Sequence, residues 1–221
     1  MASAAAPYRA PEMSNRRRLI IGLCLAISNF MVVLDLTIAN VSIPHIAGTM
    51  GITLDQGAWI ITSYAVAEAV VVPLTGWLAM RFGTVRVFIA AMMGFGFFSL
   101  LCGLSPTLGI LVAARIGQGL CGGPIMPMSQ TMMMRLFPPE QRAAAMGVWA
   151  MTVILGPALG PILGGWISDN ASWHWIFLIN VPIAMACSAV AFFMLTPYET
   201  ETERKPIDRM GLFLLVFWIG C

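Results

Sequence analysis

Long apolar runs separated by short polar connections dominate the sequence. A transmembrane helix needs about 20 consecutive apolar residues, and each run approaches or exceeds that length. The pattern predicts six membrane helices, at residues 19–43, 58–79, 87–104, 108–136, 143–167 and 175–195. A further apolar segment begins at Met210 and reaches Cys221 after about half a bilayer crossing. We therefore expect the chain to be part of a longer protein.

This pattern predicts an all-α integral membrane fold, a six-helix bundle followed by the start of a seventh helix. The predicted parts are a cytoplasmic tail at 1–18, the bundle at 19–195, a cytoplasmic linker at 196–209 and the seventh helix at 210–221.

Composition excludes several other classes of protein. Hydrophobic residues make up 59% and charged residues 10% of the chain, whereas about a quarter of the residues in soluble domains are charged. The net charge of +2 is too small for a nucleic-acid-binding surface, so no nucleic-acid partner is expected. All five cysteines lie in apolar runs, and we interpret them as small apolar side chains.

The basic residues define an orientation. Eleven of the twelve lysines and arginines fall in the N-terminal tail or in alternate connections, and the twelfth, Arg115, lies within a span. The connections on the opposite side carry none, which fits the enrichment of Lys and Arg in cytoplasmic loops. We expect a multi-pass protein of the bacterial inner membrane with a cytoplasmic N-terminus.

Three ionisable residues interrupt the spans: Asp35 in the first, Glu68 in the second and Arg115 in the fourth. A charge at mid-bilayer costs about 2.5–3.5 kcal/mol, so such residues usually face a bundle interior or a wet cavity. A rise of about 1.5 Å per residue places all three in the outer half of the membrane. We interpret them as a proton-coupling group, because protonation of a buried carboxylate responds to nearby cations. The alternative for Asp35 and Arg115 is an ion pair that only fixes helix packing.

Other polar residues within the spans are candidates for lining a cavity. Tyr64, Glu68 and Thr75 share one face of the second helix. For Glu68, a hydrogen-bonded packing role is an equal alternative. The cavity-lining candidates are Asn40, Tyr64, Thr75 and Gln118.

The fifth predicted helix carries a run of glycine and proline. The run comprises Gly156, Pro157, Gly160, Pro161, Gly164 and Gly165. Glycines at every fourth position share one face and allow close approach of another helix, while each proline removes a helical hydrogen bond. We expect a tight packing face that docks on the missing half of the protein, and a hinge or kink. A simple small-residue packing seam is the alternative.

No His, Cys or carboxylate cluster has the spacing of a metal site, and no nucleotide or catalytic motif is present. The sequence therefore predicts neither an enzyme nor a bound metal. The methionines at 126–134 are interpreted as packing or lipid-facing residues.

At three places the sequence resembles the fourteen-helix drug:proton antiporter branch of the major facilitator superfamily, the EmrB/QacA type. Residues 34–41 resemble its first-helix motif, whose membrane-embedded acid corresponds to Asp35. Arg115 and Gln118 resemble its fourth-helix motif, whose arginine is implicated in proton coupling. The run at 156–165 resembles its antiporter motif and is the most specific of the three.

A fourth similarity concerns the cytoplasmic loop between the second and third helices, which the superfamily uses for gating. The matching residues are Gly76, Arg81, Gly83 and Arg86. Met80 and Thr84 stand where the superfamily has an acidic and a basic residue.

The resemblance implies a secondary active transporter that uses the proton gradient and no cofactor to expel hydrophobic drugs or toxic compounds. The implied partners are hydrophobic small molecules, protons, membrane lipid and the C-terminal half of the same transporter. Residues 59–64, 76–79 and 175–182 look most like Gram-negative permeases that work with a periplasmic adaptor and an outer-membrane channel. The fragment alone is not expected to transport.

Two alternatives stay open on the sequence. One is a superfamily symporter that takes up a metabolite, against which the glycine–proline run argues. The other is a non-transporting membrane scaffold subunit, for which three embedded charges at one depth are an unexplained cost.

Overall fold

The computed structural model describes residues 13–202, and in that range every regular element is a helix. Six helical segments of the described range are long and apolar enough to cross a membrane, which confirms the predicted number of spans. They are Asn15–Met50, Leu54–Phe82, Thr84–Gly103, Leu108–Leu136, Pro139–Asn170 and Trp175–Tyr198. The predicted seventh helix and residues 203–209 of the predicted linker lie outside the described residues.

The first helix, α1 (Asn15–Met50), is longer than predicted. The prediction that it ends at Ile43 is wrong. It continues through Pro44, although proline removes one helical hydrogen bond. The added turns bury Ile46 and Ala47 in the core, and this packing offsets the lost bond. The helix ends at Gly51, whose φ of 65° forms a left-handed cap.

The second span begins at Leu54, four residues before its predicted start, because Thr53 and Gln56 form a reciprocal capping box. This span is α2 (Leu54–Val71), a 3₁₀ turn at Val72–Leu74 and α3 (Thr75–Phe82). The turn coincides with Pro73, which cannot donate a backbone hydrogen bond.

The third span is a single helix, and the fourth and sixth are each divided. The remaining elements are α4 (Thr84–Gly103), α5 (Leu108–Gly122), α6 (Ile125–Leu136), α7 (Pro139–Asn170), α8 (Trp175–Leu178), α9 (Asn180–Leu195) and a 3₁₀ turn at Thr196–Tyr198. The fourth span divides at Gly123 and Pro124, where proline again interrupts the hydrogen-bond ladder. In contrast, α7 stays helical through Pro157 and Pro161.

Helix α1 is central to the bundle, with α2, α6, α7 and α9 packed around it. Two apolar clusters form the core. One includes Met31, Phe95 and Ala184, and the other includes Ile38, Cys102 and Phe177. Along α1 and α4 the first cluster precedes the second, and along the sixth span it follows the second, so a short stretch of each helix lies between the clusters. That stretch carries the buried polar residues described next.

Candidate functional site

The site is built around a buried ion pair between α1 and α5. Nη1 of Arg115 lies 2.5 Å from Oδ2 of Asp35. Arg115 is 0% exposed and Asp35 is 2% exposed, so neither charge is solvated. Two ions withdrawn from water are tolerated only when their mutual attraction and further hydrogen bonds offset the cost of desolvation. Two of the three charges that the sequence placed in the outer half of the membrane therefore form a direct ion pair.

Amide and hydroxyl side chains complete the coordination of Asp35. Its second oxygen, Oδ1, accepts hydrogen bonds from Gln118 Nε2 at 3.0 Å and from Asn180 Nδ2 at 2.6 Å. Both amides also lie within 3.2 Å of Ser99 Oγ, which donates to the backbone oxygen of Phe177. The carboxylate is thus held by donors from α5 and α9, with α4 closing the network.

Arg115 has its own set of partners. Its Nε donates to the backbone oxygen of Ile60 on α2 at 3.1 Å, and Nη1 also donates to Gln118 Oε1 at 2.8 Å. The guanidinium lies over the ring of Tyr64, 4.2 Å from its centroid, and 5.5 Å from the centroid of Phe177. Cation–π contacts gain strength when desolvated. Nη2 of Arg115 is buried without a hydrogen-bond partner.

The network joins five of the six spans and omits only the fifth. The sequence identified Asp35, Arg115 and Gln118 but missed Ser99 and Asn180. A signal was available, since an asparagine near the start of an apolar span seeks a hydrogen-bonding partner inside a membrane bundle. Its partner lies 145 positions away in sequence, so the sequence alone could not name it.

The candidates for lining a cavity differ in their exposure. Tyr64, Thr75 and Gln118 are buried within the packed bundle and do not line its open surface, whereas Asn40 is exposed. Glu68 is partly exposed, and its backbone lies beside Gly119, four residues from Arg115 on α5. Of the three ionisable residues, Asp35 and Arg115 form a direct ion pair.

The glycine face of α7 packs on α1 of the same bundle. A Cβ atom placed on Gly156 would lie 2.5 Å from Val33, and one on Gly164 would lie 3.1 Å from the backbone of Ile38. A Cβ on Gly160 would collide with Thr37. The expectation that this face docks on a missing half is therefore wrong. Small residues permit close approach to whichever helix the crossing geometry brings against them, and sequence spacing does not name that helix.

Polar contacts extend this seam in both directions. Asn29 Nδ2 lies 2.5 Å from Thr152 Oγ1, and Ser168 Oγ lies 2.9 Å from Ser42 Oγ. Gly165 has no atom within 4 Å of its ideal Cβ position and does not take part. Val33 and Thr37 of this seam lie two residues to either side of Asp35 along α1, on a different face of the helix. The position of α7 therefore helps to fix the helix that carries the carboxylate.

The Major Facilitator Superfamily model matches residues 25–218. The chain belongs to this superfamily. Among its relatives are the Multidrug export protein EmrB of Haemophilus influenzae, 46% identical over 96% of the chain, and that of Escherichia coli K12, 49% identical over 91%. The Fatty acid resistance protein FarB of Neisseria gonorrhoeae is 51% identical over 90% of the chain. The chain spans 39–41% of the length of these curated relatives.

Solved transporter structures share the fold. A bacterial homolog of the human lysosomal transporter Spinster, in an inward-facing and occupied conformation, matches with a TM-score of 0.71 and 18% identity. The match covers 89% of this chain and 47% of the Spinster homolog. The peptide transporter POT in complex with sulfate matches with a TM-score of 0.71 and 16% identity, over 90% and 44% of the two chains. At these identities the similarity shows the fold alone.

The loop for which the sequence predicted a gating role lies between α3 and α4. Gly83 has a φ of 94° and separates the two helices. The carboxylate of Glu199, beyond α9, accepts hydrogen bonds from the backbone N–H groups of Val85 and Arg86, each at 2.9 Å. Arg81 lies over the ring of Trp77, and Gly76 has no atom near its ideal Cβ position. An acid just beyond the sixth span, unforeseen from the sequence, thus caps the start of α4.

Proposed function

We propose that this chain is the N-terminal half-bundle of a transporter that exchanges inward-moving protons for outward-moving hydrophobic drugs or toxic compounds across the bacterial inner membrane. The observation that carries the proposal is the fully buried pair of Asp35 and Arg115. When a carboxylate is held inside a membrane bundle by a guanidinium, its protonation can be coupled to a conformational change.

The hydrogen bonds of Asp35 suit this role. The ionised carboxylate accepts three bonds, from Arg115, Gln118 and Asn180. A proton on either oxygen turns an acceptor into a donor and weakens the pairing with Arg115, so at least one of these contacts has to rearrange. Because the three donors lie on α5 and α9, proton uptake by Asp35 changes how α1 packs against both helices.

Two neighbouring features extend the proposal. Glu68 is partly exposed and its backbone lies beside Gly119 of α5, and we assign it to proton transfer between the bundle surface and Asp35. The glycine seam couples α1 to α7, so a shift of α1 involves α7 as well. The opposite side of α7 exposes Ile154, Ile162 and Trp166, an apolar surface that suits docking of the C-terminal half.

The names of the relatives support the proposed substrates. Two are multidrug export proteins and a third is a fatty acid resistance protein, and all three names are compatible with apolar or amphipathic cargo. The proposal includes a cytoplasmic N-terminus, because the basic residues lie on that side. A periplasmic adaptor and an outer-membrane channel are proposed partners of the complete transporter.

The test is transport by the full-length protein in liposomes with an imposed pH gradient. Movement of a fluorescent hydrophobic cation and of protons is recorded together for the wild type, Asp35→Asn and Arg115→Lys. We expect both variants to lose at least 90% of substrate-driven proton movement. Glu140→Gln is the matched control, because Glu140 is an exposed acid at the start of α7.

Each other result has a definite meaning. Substrate-driven proton movement retained by Asp35→Asn overturns the coupling assignment. Substrate and protons that move in the same direction indicate an uptake symporter, and no movement of either in the wild type indicates a non-transporting subunit. Loss of coupling in Glu68→Gln with retained substrate binding supports the role of Glu68, and unchanged coupling removes it from the pathway.

A further inference from the structure

Two cysteines from opposite ends of the chain meet where α1 crosses α9. Cys24 Sγ lies 3.5 Å from the backbone oxygen of Cys187, and Cys187 Sγ lies 3.8 Å from the backbone oxygen of Cys24. The Ser28 hydroxyl donates to the same backbone oxygen of Cys24 at 2.8 Å. Each residue is 5% exposed. The reciprocal geometry points the two sulfur atoms into one small space between the helices.

This space opens to the protein surface through an apolar groove of about 470 Å³. Both cysteines line the groove, together with apolar residues of α1 and α9 such as Leu23 and Ile183. The thiols are therefore packed between helices and yet reachable from outside the bundle. The other described cysteines differ: Cys102 contacts Gln118 and Cys121 packs near Gly94.

We propose that Cys24 and Cys187 form a two-thiolate binding site for a soft, two-coordinate cation such as Cu(I). Thiolates are soft ligands and select ions of this kind. In the described part of the chain no group of three or more His, Cys, Asp or Glu residues is placed to hold a metal. Two sulfur ligands without a third partner suit linear coordination and do not satisfy the four-ligand preference of a structural zinc.

The binding step is balanced and involves no redox change. One Cu(I) ion forms two metal–sulfur bonds, the two S–H bonds break, and two protons leave to solvent or buffer. The ion then joins α1 to α9 covalently through its ligands. Along α1, Cys24 is about 16 Å from Asp35, and along α9, Cys187 is about 10 Å from Asn180. A bound ion thus restrains the same two helices that the Asp35–Asn180 hydrogen bond connects.

The site does not depend on the proposed transport function and is tested by binding. The full-length protein is purified in detergent without oxygen and titrated with Cu(I) in competition with a chromogenic Cu(I) chelator. We expect one tightly bound ion per chain and release of two protons per ion. Cys24→Ser and Cys187→Ser should each weaken binding at least 100-fold, because either substitution removes the two-point attachment. The matched control Cys121→Ser should bind as the wild type does.

A second measurement needs no substitution. X-ray absorption at the copper edge of the loaded wild type should give two sulfur neighbours and no nitrogen or oxygen at bonding distance. Undiminished binding in the double variant Cys24→Ser/Cys187→Ser overturns the proposal. Equal loss of binding in Cys121→Ser, or a copper spectrum with a different ligand set, overturns it as well.

Discussion

The hydroxyl of Thr37 on α1 lies 3.2 Å from the backbone oxygen of Gly156 on α7. Small residues, glycine above all, let a facing helix approach this closely. Thr37 is two residues from Asp35, so the contact helps to fix the rotation and depth of the helix that carries the buried carboxylate. Packing on one face of α1 and charge on another are therefore linked through a single rigid element.

The glycine seam predicts that Gly160→Ala destabilises the protein. The new methyl group would collide with the side chain of Thr37, and overpacking of this kind costs about 1–3 kcal/mol. Gly165→Ala, in the same helix, meets no atom within 4 Å and gains helix propensity, so its unfolding temperature should be unchanged or higher. Thermal unfolding of the full-length protein in detergent compares the two. Equal effects would contradict the seam.

The ion pair predicts strong non-additivity. Asp35→Asn or Arg115→Gln alone leaves one buried charge uncompensated, and each should lower the free energy of unfolding by about 3–5 kcal/mol. The double variant removes both charges, and its loss of unfolding free energy should be at least about 2 kcal/mol smaller than the sum of the two single losses. A double-mutant cycle measured by unfolding gives this coupling energy. Additive losses would mean that the two charges do not stabilise each other.

The hydrogen bonds of Asn180, which the sequence did not anticipate, predict a loss of stability when this residue is replaced. Asn180→Ala removes a 2.6 Å hydrogen bond to Asp35 and a second contact with Ser99. Leaving these buried groups with fewer partners should cost about 1–3 kcal/mol of unfolding free energy. Asn170→Ala is the matched control, since Asn170 is exposed at the end of α7, and its effect should stay within about 0.5 kcal/mol. If Asn170→Ala lowered the free energy of unfolding more than Asn180→Ala does, a specific role for the network would be ruled out.

Glu199 predicts a local effect at the start of α4. Its carboxylate accepts two backbone hydrogen bonds at the positive end of the helix, and Glu199→Ala should cost about 1–2 kcal/mol. Hydrogen exchange at the amides of Val85 and Arg86 should become faster, while exchange in the middle of α4 stays slow. Glu201→Ala, an exposed acid two residues on, serves as the control. Unchanged exchange at both amides would show that the cap is dispensable.

The number of spans and the identities of the embedded charges followed from the sequence. A bilayer imposes a minimum apolar length on every span and a cost on every charge, and both constraints are visible in consecutive residues. Boundaries were less well predicted. Proline ended the predicted first helix at Pro44, whereas burial of Ile46 in the core keeps that helix intact to Met50.

What only the tertiary structure decided is which faces of the helices meet. Asn180 bonds to Asp35, Cys187 lies against Cys24, and Glu199 caps α4, over separations of 113–163 residues. The glycines of α7 were predicted to be a packing face, but their partner is α1 and not a missing half. Helical periodicity shows which residues share a face. The rotation and crossing of two helices depend on packing across the whole bundle, and no single segment contains that information.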